Sequence, residues 1–193
     1  RFPNKAIKFC LDKANIKFNR LDAIAISWNP LINLEKFDSN NSNNLTYIPS
    51  ILHSTLNHII KDIKKINKDH FSQELKLESG KVIKIYFVNH HLSHACNYFL
   101  SSFNQSSILT VDAFGEDQCL GFYSGKKNSI KKIYEQKFPH SLGSFYSTFT
   151  EFCGFKPQSE EWKLMGASSY GKKSLYEKKI NNLIEISSNG EFF

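Results

Sequence analysis

The chain has 193 residues, 40% hydrophobic and 14% aromatic, which is enough to form a core and excludes a disordered polypeptide. Its 25 Lys and Arg outweigh 18 Asp and Glu for a net charge of +7. The lysines are scattered in ones and twos rather than gathered in a stripe, which points away from nucleic acid as a partner.

In chain order, Pro3 suits the first turn of a helix, and Ile7, Cys10, Leu11 and Ala14 recur on one apolar face, so a helix is expected to about Phe18. Leu21 to Trp28 then reads as a short buried strand stopped at Asn29-Pro30. The run Ser39 to Asn44 is a polar surface loop without chemistry. From Pro49 a second amphipathic helix is expected, with His53, His58 and His70 in or just after it and nothing converging on them. Gly80 and Lys81 turn the chain into a strand from Val82 to Val88.

The next stretch, Asn89-His90-His91-Leu92-Ser93-His94, places three imidazoles at a strand-to-helix corner, with a helix expected over Leu92 to Phe103 that packs through Ala95, Cys96, Phe99 and Leu100. Residues four apart share a helix face, so His90 and His94 could hold one metal ion; His91 and His94, three apart, could nearly do the same, and spacing does not choose between the pairs. A strand from Ser107 to Val111 then ends in Asp112, a carboxylate suited to the same transition metal.

Ser107 to Val111, Cys119 to Ser124 and Ile130 to Phe138 read as an antiparallel meander, followed by a helix from Leu142 to Phe152 whose apolar face is Leu142, Phe145, Tyr146, Phe149 and Phe152. Ser141 is placed to cap that helix. A short amphipathic segment, Glu160 to Met165, leads into a loop over Gly166 to Gly171 with room for close backbone approach, and a last helix spans Ser174 to Ile186. Cys10, Cys96, Cys119 and Cys153 form no CxxC, which argues against a zinc ribbon or disulfide frame and predicts reduced, buried thiols. Seventeen phenylalanines predict a large apolar interior. No apolar run reaches membrane-span length and the first residues are no signal peptide, so the expected compartment is the cytoplasm.

HHLSHA, then TVDAFGED, then FPHSLGSFYSTFTEFCGFKPQSEEWKLMGASSYG resemble in order and spacing the O-carbamoyltransferase family of nodulation-factor and antibiotic carbamoyltransferases, and the first thirty residues look like that family's first helix and following strand. The resemblance implies an α/β, two-lobed actin-like fold built on ribonuclease-H-like repeats, with residues 1–104 from the first lobe and 105–193 opening the second. It implies a metal, iron foremost, on His90, His94 and Asp112, with His91 supporting the metal-binding imidazoles. It further implies a carbamoyl-adenylate, made from ATP and carbamoyl phosphate by a separate C-terminal domain, whose carbamoyl group passes to an acceptor hydroxyl on a sugar or natural product.

By the same resemblance Gly115 would offer a backbone N–H to phosphate, Glu116 would order the loop or meet ribose, Lys163 would be a counter-charge for phosphate, and Gly166 would give backbone access. Ala113 stands where the family usually has glycine. His140 belongs to a family motif without an assigned role. The family's opening hairpin does not precede Arg1, and its later second-lobe elements, a further aspartate ligand and the adenylate-forming domain would follow Phe193. The expectation is therefore a fragment, inactive alone, with a sheet edge left unpaired. A tRNA threonylcarbamoyl-transferring enzyme and a non-catalytic actin-like nucleotide-binding module are the competing readings, and a simple zinc hydrolase ranks last for want of an HExxH motif. Acceptor choice is expected in variable loops and at a homodimer interface.

Overall fold

A computed structural model describes residues 3–29, 69–77, 79–188 and 190–192. The Asn/Ser loop, the helix expected from Pro49, and His53 and His58 lie outside the described residues. The architecture is mixed α/β, with two small sheets and several helices. The chain divides into two compact units, Arg1–His90 and His91–Phe193.

In the first unit, helix α1 (Asn4–Ala14) starts at Pro3 and stops short of Phe18, because Asn15 adopts a left-handed φ of 55° and its N–H caps the last turn. No residue of α1 is buried. Ile7 and Leu11 are partly covered, whereas Cys10 is exposed, against the expectation of a buried thiol.

Strand β1 (Ala23–Ile26) runs parallel to β3 (Val82–Val88), which pairs antiparallel with β2 (His70–Lys76) in the order β1-β3-β2. β1 alternates between exposed and half-buried, so it is a strand covered on one face and not the buried strand expected. β2 was not expected: His70 opens this strand. Gly80, at φ 83°, supplies the left-handed turn from β2 to β3. The centre of this sheet is Ile83, fully buried, and Phe87, which stacks on its directly opposed partner Phe71 at 4.9 Å.

Helix α2 (His90–Ala95) begins two residues earlier than expected and tightens into a 3-10 turn over Cys96–Leu100. That tightening changes which side chains face inward. Ala95 and Tyr98 are buried while Phe99 and Leu100 are exposed, reversing part of the expected packing face. Tyr98 donates to the Asn104 carbonyl at 2.8 Å and lies over Gly125, where an added Cβ would come within 2.8 Å of its ring.

The meander is present as β4 (Gln105–Gly115), β5 (Gln118–Lys126) and β6 (Ser129–Lys137); the first two are longer than their apolar runs and the third is shifted by one residue. Helix α3 (Leu142–Phe152) has the expected bounds, with Ser141 accepting the Ser144 N–H as its cap. Its inward face is different. Ser147 and Thr150 are buried and Gly143 abuts β4, while Phe152 is 86% exposed. Small side chains let the helix backbone approach the strand closely, which bulky ones on that face would prevent.

After α3, helix α4 (Glu161–Ala167) and a 3-10 turn (Ser168–Tyr170) take up the stretch expected as a loop. The expected last helix is broken into a 3-10 turn (Lys173–Leu175) and a short helix, α5 (Glu177–Asn181), with no buried residue in either. Ile186 instead bridges Phe192, and the chain beside it is fastened to β6 by Gln136 donating to the Phe192 carbonyl at 2.6 Å.

Cys119 is buried, Cys96 half-buried and Cys153 exposed, and all four thiols are unpaired. Burial raises the Cys119 thiol above its ordinary value. The interior is smaller than seventeen phenylalanines suggested: among the described residues Phe9, Phe99, Phe103, Phe138 and Phe152 are exposed. Among the described residues no helix is long and apolar enough to cross a membrane.

Candidate metal centre

His90 ends the first unit and opens α2. Its Nδ1 lies 3.1 Å from the Ser27 carbonyl oxygen just beyond β1. A carbonyl can only accept, so Nδ1 carries a proton, and in the neutral ring this is the tautomer whose Nε2 can ligate a metal. The Trp28 ring meets the imidazole edge-on at 6.1 Å and further fixes its plane.

His94 stands one turn along the same helix, the spacing that places two side chains on one helix face. His91, the other histidine of the corner, is engaged elsewhere. His91 is fully buried, with Nε2 donating to the Gln118 carbonyl at 3.0 Å and Nδ1 facing the Thr110 hydroxyl at 2.8 Å. Both nitrogens are thus spent on tying α2 to the β4–β5 hairpin. Its contact with His94 is ring edge against ring face, centroids 6.2 Å apart.

Within the second unit, His94 Nε2 lies 3.6 Å from Asp112 Oδ2. Two ligands of one first-row metal, each about 2.0–2.2 Å from it, sit roughly 3–3.5 Å apart, so this pair is close to ligating geometry. Asp112 occupies a register shift between Val111 and Gly115, where β4 leaves its regular pairing with β5. Its Oδ1 accepts the N–H of Ala113 at 2.7 Å, leaving Oδ2 turned toward His94. Donor types and supports fit a divalent transition metal.

The remaining predicted residues sit on two other elements. Gly115 is buried and pairs with Gln118 at the end of β4, and Glu116, buried, takes the left-handed φ of 54° that turns the chain into β5. Lys163 is ion-paired with Glu160 and lies over the Trp162 ring at 5.5 Å. Gly166 is inside α4, exposed, with open space where a side chain would be. Glu161 accepts the Ser147 hydroxyl at 2.6 Å, joining α4 to α3, and that hydrogen bond holds its carboxyl below the ordinary range. His140 lies in a surface groove beside Tyr134 and Glu191.

Sequence patterns alone did not reveal the Ser27 carbonyl, Thr110 and Gln118. Backbone acceptors carry no side-chain signal, and a threonine in a strand reads as ordinary β-propensity.

All of residues 1–193 match a family model described as carbamoyltransferase N-terminus. The chain is 30% identical over 99% of its length to an uncharacterised protein, sll1178, of Synechocystis, covering 32% of that protein. It is 28% identical over its whole length to the nodulation protein NolNO of Sinorhizobium fredii, covering 27% of it. An uncharacterised Methanocaldococcus jannaschii protein, MJ1051, is 31% identical over 54% of the chain, which covers 21% of that relative. The chain therefore spans about a third or less of the length of these relatives.

Proposed function

Because the chain belongs to the carbamoyltransferase N-terminus family, we propose that it is the carbamoyl-transferring part of an O-carbamoyltransferase. In this reading the acceptor's hydroxyl oxygen attacks the carbamoyl carbon of a carbamoyl-adenylate made from carbamoyl phosphate and ATP. The bond to the adenylate phosphate breaks, AMP leaves, and the hydroxyl proton is lost. The acceptor is a small molecule, a sugar or natural product.

His90 and His94, through a lone-pair nitrogen each, and Asp112, through Oδ2, would hold one divalent metal, iron foremost. Bound there, the ion supplies Lewis-acid polarisation of a carbonyl or phosphoryl oxygen. The observation that carries the reading is His94 facing a carboxylate whose other oxygen is already pinned, on a helix whose first histidine has its tautomer set by the Ser27 carbonyl. His91 keeps that helix seated on the hairpin. Gly115 and Glu116 are proposed to line the adenylate's side of the site and Lys163 and Gly166 to meet its phosphate; for Lys163 this requires release from Glu160. The actin-like two-lobed fold, with a lobe change near residue 104, is part of the same proposal.

The reading is tested by supplying the protein as encoded with ATP, radiolabelled carbamoyl phosphate and a panel of hydroxylated acceptors. Label on an acceptor, abolished by His94→Ala, supports it. Label transferred equally by His94→Ala contradicts the role given to the histidine corner.

A further inference from the structure

Helix α3 begins against the backbone that carries Asp112. The Ser141 hydroxyl donates to the Ala113 carbonyl at 2.5 Å and lies 3.3 Å from the Asp112 carbonyl, while its oxygen accepts the Ser144 N–H at 3.0 Å. The Ser144 hydroxyl reaches the same Ala113 carbonyl at 3.3 Å. At Gly143, a Cβ would fall 2.4 Å from the Ala113 nitrogen, 2.6 Å from its Cα and 2.7 Å from the Asp112 carbonyl carbon. The nitrogen that such a methyl group would strike is the one whose N–H holds Asp112 Oδ1 at 2.7 Å.

From this convergence we propose that Ser141 and Gly143 are positioning residues for the Asp112 carboxylate. The helix start acts as a clamp that holds an irregular stretch of β4 in the one conformation that aims Oδ2 at His94. Three features agree. The stretch has left the regular β4–β5 ladder, so it needs another source of order. Its Ala113 carbonyl, freed from the ladder, is taken up by two hydroxyls from the helix start. The glycine is required by contact and not by backbone angle, since its φ is not among the left-handed ones. The proposal rests on the metal reading above, because positioning matters only if Asp112 is a ligand.

The test is titration of the protein as encoded, freed of metal, with Co2+, following the visible absorption bands that report ligand set and geometry. The variants are Ser141→Ala, Ser141→Thr, Gly143→Ala, Asp112→Ala and His94→Ala, each checked for cooperative thermal unfolding. Ser141→Ala and Gly143→Ala are expected to unfold cooperatively yet bind Co2+ about tenfold or more weakly with altered bands, as when a ligand's support is removed. Ser141→Thr keeps donor and acceptor and should restore both affinity and spectrum. Parental affinity and spectrum in folded Ser141→Ala and Gly143→Ala, alongside loss in Asp112→Ala, would overturn the clamp while leaving the metal site standing. Parental binding in Asp112→Ala and His94→Ala would overturn the metal reading and the clamp with it. Should neither clamp variant fold, Ser144→Ala, which removes only the longer hydroxyl contact, decides in the same way: weaker binding with shifted bands supports the clamp, and unchanged binding overturns it.

Discussion

His94 Nε2 faces Asp112 Oδ2 across 3.6 Å, and the carboxylate's other oxygen is held by the neighbouring Ala113 N–H at 2.7 Å. A side chain presented this way has one oxygen fixed and one offered. That division of labour ties the helix after β3 to the irregular end of β4, and the proposed chemistry depends on it.

The first prediction concerns that pair. Asp112→Asn keeps the shape but weakens the anionic ligand, and should lower metal affinity by about tenfold or more while unfolding at nearly the parental temperature. Metal titration with parallel thermal melts checks it.

His91 should behave in the opposite manner. It is fully buried and hydrogen-bonded at both nitrogens, so His91→Ala leaves a cavity and removes two buried hydrogen bonds and should cost about 2–4 kcal/mol of stability. Below its lowered melting point the variant should still bind metal through His90 and His94. Denaturant melts and metal content measured on the same sample separate the two effects.

Gly121 offers a packing test of the same corner. A Cβ there would meet the Gln118 amide and the Tyr123 ring at 2.4 Å and the Thr110 hydroxyl at 2.8 Å. Gly121→Ala should destabilise by about 1–3 kcal/mol through overpacking, and because Thr110 and Gln118 also hold His91, the imidazole environment should change in the NMR spectrum.

A fourth prediction is about pH. The Ser147 hydrogen bond lowers the Glu161 carboxyl, so its stabilisation is fully present above the unfolded carboxylate value of about 4.3 and is lost as pH falls through the lower folded value. Ser147→Ala should therefore melt below the parent at neutral pH, with the gap narrowing under acid conditions. A gap of constant size from neutral to strongly acid pH would show that the loss is packing alone.

The sequence made some of this legible and hid the rest for identifiable reasons. Helix α3 was readable to its ends because Ser141 caps it and apolar residues recur at helical spacing, yet its buried side was not: Ser147 goes inward to donate to Glu161 of α4, and Thr150 is buried with its hydroxyl on the Tyr146 carbonyl. The three-histidine corner was visible as a pattern. The partners of His91 were not, since they are the Thr110 hydroxyl and the Gln118 backbone carbonyl. β2 was missed because His70–Lys76 mixes polar and charged residues and buries none of them fully, leaving little alternation to read. The last helix was overextended because its lysines and isoleucines suit a helix, whereas here they gain no burial to hold one together.

The most direct test of the central claim is elemental analysis of the protein as encoded, purified without oxygen, compared with its His90→Ala/His94→Ala form. The account predicts about one first-row transition metal per chain in the parent and almost none in the variant, with both folded. Equal metal in the two forms, or none in either, would contradict it.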